Sequence, residues 1–150
     1  ARIVQNGSPR DLSDRPKNRY VAGFVGTSNF FDGKVSGTGK DLVPVSLAGE
    51  INLEGVGIGE FAVGQDVCVS VRPEQIRLSR TSDLKDSFSV TVSNRIFLGE
   101  HTEYLVKHES LGEFLVLTPR QSELNEGPFN TGDTLLASWD AGAALILDNA

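Results

Sequence analysis

The residues able to do chemistry are few and scattered. Gly37–Asp41, GTGKD, has the glycines and the lysine of a phosphate-binding loop. That loop needs another glycine five residues before its Gly-Lys pair, and Ser or Thr after the lysine. Lys34 and Asp41 stand at those places, and a carboxylate beside the lysine repels phosphate. Gly57–Ala62, GIGEFA, has the spacing of a dinucleotide-binding turn, which must open a helix. Val63, Gly64 and the strand-like VCVSVR follow instead. Both stretches read as glycine turns. His101 and His108 are seven apart, which puts them on opposite faces of one strand. With Cys68 the only cysteine, there is no Cys/His cluster for a metal and no internal disulfide. Cys68 alternates with Val67 and Val69 and reads as a small core residue. No G-x-S-x-G nucleophile elbow occurs.

Two features are better candidates for contact than for catalysis. In VRPEQIRL, Val71–Leu78, Pro73 ends a strand and forces a turn, which holds Arg72 extended. Arg72, Glu74, Arg77 and Arg80 are then presented together. The turn is either solvated with a weak surface ion pair or a polar contact across a domain or subunit interface. Arg72, Glu74 and Arg77 are therefore candidate interface or regulatory residues. Trp139 alternates with Leu135 and Ala137, a pattern of core or interface packing, and joins that set.

The elements that position these residues change character along the chain. Residues 1–26 read as helical, with Ser8 as N-cap, Pro9 at the first helical position and Asp11 in the first turn. Pro16 punctuates. Tyr20, Val21, Phe24 and Val25 then share one face at helical spacing, and Gly26 is a stop. From 27 onward the apolar period is two. In SFSVTVSNRIFLG, Phe88, Val90, Val92, Ile96 and Leu98 are assigned to one face of a half-buried strand. VCVSVR repeats the pattern with Val67, Val69 and Val71 inward. EYLVKH, EFLVLT, TLLASWD and AALIL are further short β runs, separated by Gly, Asn, Asp and Pro. Residues 36–64 are rich in glycine, with short strands near Leu42–Leu47 and Ile51–Leu53. The fold class is mainly β, an OB-fold-like barrel or sandwich with a short N-terminal helical segment.

Composition narrows the function. The 150 residues carry a net charge of −6. Residues 1–20 hold a surplus of three positive charges, so residues 21–150 carry −9. This argues against a nucleic-acid partner, because phosphate binding needs clustered Lys and Arg. No run of about 18 apolar residues exists to span a membrane as a helix. The chain has no methionine, which a piece cut from a longer protein and loss of the initiator residue explain equally well.

Several ordered stretches resemble the C-terminal part of ATP-binding subunits of bacterial ABC importers. These are Gln5, Gly7, Ser8 and Pro9; Pro16; Val21, Ala22, Phe24, Val25 and Gly26; and Asn29, Phe30 and Phe31. VRPEQIRL, NRIFLGEHTEYLV and GDTLLASWDAGAALIL follow in the family's order. The resemblance covers nearly the whole chain and is closest to the polyamine branch, with iron(III) and sugar importers as neighbours. It implies that 1–26 is the tail of an upstream nucleotide-binding domain, packed on it through Tyr20, Val21, Phe24 and Val25. It implies that 27–150 is a regulatory β-barrel of the transport-associated (TOBE) type. The family's nucleotide motifs would lie upstream of Ala1, so ATP and Mg²⁺ are expected in the parent and no cofactor or catalytic residue here. Expected partners are the chain's own nucleotide-binding domain, a second copy and the transmembrane permease subunits, at the cytoplasmic face of the membrane. The −9 balance leaves a second reading open, a module that senses a polycation such as a polyamine, or another small ligand.

Overall fold

The computed structural model describes residues 28–39, 41–81 and 86–148. The helical reading of 1–26, with Tyr20, Val21, Phe24 and Val25, lies outside the described residues. Ten strands follow in chain order: β1 Asn29–Val35, β2 Val43–Leu47, β3 Ile51–Gly57, β4 Asp66–Val71 and β5 Arg77–Ser79. Then come β6 Phe88–Leu98, β7 His101–His108, β8 Gly112–Pro119, β9 Thr134–Ser138 and β10 Ala144–Asp148. The architecture is mainly β, as the period-two pattern predicts. The described residues fall in two compact units, one of 28–72 with 140–148 and one within 73–139. The stretch read from the sequence as one barrel region therefore holds both.

The first unit is a closed five-stranded barrel, in the order β1-β2-β3-β10-β4. β10 runs parallel to β3 and antiparallel to β4. Closure leaves no sheet edge to pair with another chain. Val67, Val69 and Val71 of β4 are fully buried, and Cys68 and Ser70 on its other face are buried too. Ser70 and Ser28 satisfy each other through a buried hydroxyl pair at 2.8 Å. Of the GTGKD stretch, Gly37, Thr38, Gly39 and Asp41 lie between the paired strands β1 and β2, with Val35 opposite Val45. GIGEFA leads through a turn into β4, and Gly64 has a φ of 90°.

Part of the glycine-rich stretch is strand. β3 continues to Gly57, past the expected end near Leu53. Gly55 is needed there for close packing, not for a turn. A Cβ on it would come within 2.6 Å of Ile146 Cδ1 and 2.9 Å of the Ala144 carbonyl oxygen. A barrel this narrow has no room for a methyl group at that point.

The second unit is an antiparallel sheet in the order β5-β9-β6-β7-β8. Its packed face holds Val90, Val92, Tyr104, Val106, Phe114, Val116, Leu135 and Ala137, all buried. One expectation fails here. A register shift separates Val92, opposite Val106, from Asn94, opposite Leu105. The extra residue of this bulge reverses the alternation. Arg95 and Phe97 now lie opposite Tyr104 and Thr102, on the packed face. Ile96 and Leu98 therefore leave the face of Val90 and Val92, and they are about half exposed, at 48% and 52%.

The Gly55→Ala variant should lose about 1–3 kcal/mol of stability, the usual cost of overpacking a filled core. A urea denaturation midpoint below that of the wild type, at unchanged slope, checks it.

Candidate functional site

The second unit contains a cavity of about 360 Å³ between its two edge strands, β5 and β8. Ile76, Leu78, Leu117, Pro119 and Phe129 give it an apolar lining. Glu74, Glu123 and Glu126 add three carboxylates, against the single guanidinium of Arg77. The remaining wall is the segment after β8, with Ser122, Asn125 and Gly127.

That segment is fastened by a buried carboxylate. Arg120–Leu124 forms a short 3-10 turn in which Glu123 is buried at 6% exposure, while Leu124 beside it is 84% exposed. Thr102 Oγ1 donates to Glu123 Oε1 at 3.0 Å, and Tyr104 donates its hydroxyl to Oε2. Both donors come from the packed face of β7, two residues apart. Arg120 Nε lies 3.5 Å from Oε1. The Tyr104 oxygen accepts the Phe129 N–H at 3.0 Å, and the Gly127 N–H donates to the Glu123 carbonyl at 3.1 Å. A buried carboxylate is tolerable only when donors replace its lost hydration, and here the donors tie the segment to the sheet. Burial and donation to Glu123 push the Tyr104 phenol up to about 12.

Phe129 completes the wall. Its ring packs 5.7 Å from that of Tyr104, and the Arg80 guanidinium lies 5.1 Å from its centroid. Arg95 donates to the Phe129 carbonyl and, at 2.7 Å, to Asn130 Oδ1. Gly127 sits flush against Glu123, where an added Cβ would meet the glutamate Cγ at 2.9 Å.

Of the residues singled out from the sequence, the structure brings Glu74 and Arg77 together in this cavity. Pro73–Gln75 forms a 3-10 turn before β5, which explains their common presentation. Arg72 closes the first unit. Trp139 is half-buried and is not among the lining residues. It meets Phe88 edge-on at 5.7 Å, and Phe88 also packs on His108 and Phe114. His108 Nδ1 accepts the N–H groups of Ser110 and Leu111, so this histidine serves the β7–β8 turn. Among the described residues, no group of three or more His, Cys, Asp or Glu is placed to hold a metal. Glu123, Thr102, Tyr104 and Phe129 were missed by the sequence reading. Hydropathy points the wrong way at 123–124, because the acid is inside and the leucine outside. The one usable signal is Tyr104 alternating with Thr102 and Val106 in a strand, since a buried tyrosine hydroxyl needs a polar partner.

The cavity offers an apolar lining with an excess of acceptors, complementary to a cation with an apolar body.

The comparisons place this architecture in a known class. The sequence pattern of the TOBE domain matches residues 69–147, which takes in the whole second unit, the second half of β4 and most of β10. The chain belongs to the TOBE domain family. Its relatives are named spermidine/putrescine import ATP-binding protein PotA. That of Rubrobacter xylanophilus is 30% identical over 148 residues, 97% of this chain and 38% of the relative. That of Mesorhizobium japonicum is 32% identical over 97% of this chain and 39% of the relative. That of Fusobacterium nucleatum is 34% identical over 98% and 40%. The chain thus spans about two fifths of the length of the curated relatives it matches. Among solved structures, the cytoplasmic molybdate-binding protein ModG superposes with a TM-score of 0.70. It covers 80% of this chain and 95% of ModG at 18% identity, a likeness of fold.

The phenol of Tyr104 provides a test of the clasp. Its pKa is raised on folding, so its contribution is fully present below pH 10. It is lost as pH rises to about 12, because the unfolded phenol ionises first. Of the two tyrosines, one should ionise only near pH 12 in ultraviolet titration of the folded chain. That late step should be absent in Tyr104→Phe. The same variant should lose about 1–3 kcal/mol, since it leaves the buried Phe129 N–H without its acceptor.

Proposed function

We propose that this chain is the C-terminal regulatory and dimerising domain of an ABC importer ATP-binding subunit, with polyamines as the imported solutes. The observation that carries the proposal is the similarity to PotA along 97% or more of the chain, together with the TOBE match over residues 69–147. In this reading catalysis belongs to the missing part of the subunit, where ATP and Mg²⁺ bind. Tyr20, Val21, Phe24 and Val25 dock on that part, and the permease subunits are met through it, at the cytoplasmic face of the membrane. A pair of β-domains holds two ATPase halves together while they open and close. An effector with different affinity for the two states shifts that equilibrium by its difference in binding free energy, and by no more.

Equilibrium sedimentation over a concentration series tests the pairing. A reversible dimer is expected, and a strict monomer at the highest concentration counts against it.

The cavity supports a second reading, in which the domain senses a polycation. The carboxylates of Glu74 and Glu126 in an apolar lining, beside the committed Glu123, favour an ammonium group carried on methylenes. Calorimetric titration with spermidine should give saturable heat at moderate salt, weakened several-fold in Glu126→Gln. Heat that vanishes between low and moderate salt, or that is the same in the variant, rejects this reading.

A further inference from the structure

The cavity between β5 and β8 carries charge of both signs. Its buried lining residues Ile76 and Phe129 are apolar, and Leu78 and Leu117 are half-buried. Glu74, Arg77 and Glu126 are its exposed charged groups. At about 360 Å³ it lies at the small end of ligand pockets, which run from roughly 300 to 1,000 Å³. A space of this kind suits a small molecule with a short apolar body and charged ends.

The neighbouring charges are already matched within the protein. Glu123 is held by Thr102 and Tyr104, with Arg120 3.5 Å away. Arg80 stacks on Phe129 and lies 3.5 Å from Asp133. Arg95 donates to the Phe129 carbonyl and Asn130 and is not among the lining residues. What the lining offers a ligand, among the described residues, is therefore two carboxylates and one guanidinium. A bare diamine brings two ammonium groups and nothing for Arg77, so one of them meets a like charge. A dibasic amino acid brings two ammonium groups and one carboxylate, the opposite set.

The spacing fits that set. Arg77 and Ser79 stand two residues apart on β5, about 7 Å along the strand and on one face. Ser79 donates its hydroxyl to Glu126 Oε2 at 3.3 Å, which places this carboxylate beside Ser79. The guanidinium and the carboxylate are thus set apart along one strand. The carboxylate and side-chain ammonium of lysine or ornithine are set apart in the same way, by a short methylene chain that can lie on the apolar lining. A guanidinium fork also matches a carboxylate in shape, with two parallel hydrogen bonds.

We propose that this cavity takes a free dibasic amino acid, with its carboxylate on Arg77 and its side-chain ammonium on Glu126, in preference to the diamine that lacks the carboxylate. The proposal rests on the reading of the cavity as a cation site and narrows the class of cation. Discrimination comes from both signs of interaction, attraction to the carboxylate and repulsion of the second ammonium at Arg77.

Matched pairs of ligands isolate the one group at issue, since cadaverine is lysine and putrescine is ornithine without the carboxylate. In calorimetric titration of the 150-residue chain at about pH 7 and moderate salt, each amino acid should bind about fivefold more tightly than its diamine. Arg77→Gln should weaken the amino acids by about the same factor and close the gap within each pair. Glu126→Gln should weaken all four ligands. Circular dichroism checks the fold of each variant. If Arg77→Gln is misfolded, lysine methyl ester takes its place, and it should bind the wild type no better than cadaverine. A diamine that binds as tightly as its amino acid overturns the proposal and leaves the cation reading standing, as does a preference that survives Arg77→Gln or esterification. Saturable heat from none of the four ligands, nor from spermidine, overturns both.

Discussion

A carboxylate removed from water must find donors inside the protein, and Glu123 finds them on a single strand. Thr102 and Tyr104 stand two residues apart on β7, so both hydroxyls reach the same carboxylate. Everything on that side of the second unit follows from this constraint. The segment after β8 is held down, Phe129 is drawn against Tyr104, and Gly127 is pressed on Glu123 where no side chain fits. The tied segment forms one wall of the cavity between β5 and β8.

The two units solve the problem of sheet edges differently. The barrel closes on itself, with β10 inserted between β3 and β4, and leaves no strand unpaired. The second sheet keeps two edges, β5 and β8, and carries the cavity between them. Its bulge at Val92–Asn94 serves a second purpose by re-aiming the end of β6. Arg95 is turned toward Phe129 and Asn130, where it supports the cavity wall. Ile96 and Leu98 are turned outward, onto the opposite face of the sheet. A single inserted residue thus sets what both faces of the sheet present at this end.

The mainly β class, the hairpin at GTGKD, the inward valines of β4 and the shared presentation of Glu74 and Arg77 were all legible in the sequence. Each is set by local rules, namely the two-residue period of a strand, the turn chemistry of glycine and the fixed backbone of proline. The ordered stretches from Asn29 to the GDTLLASWD run pointed to the family for the same reason, since each is short and local. Three things were decided only by tertiary structure. Strand β3 runs on through Gly55 because β10, ninety residues later, packs against it without room for a methyl group. The face of Ile96 and Leu98 depends on a bulge that no alternation pattern reveals, because an extra residue is recognised only against its partner strand. Glu123 lies inside and Leu124 outside because a pair of hydroxyls 19 and 21 residues away outweighs the local order of hydropathy. Sequence determines what each stretch prefers by itself, and long-range packing and hydrogen bonding decide where those preferences give way.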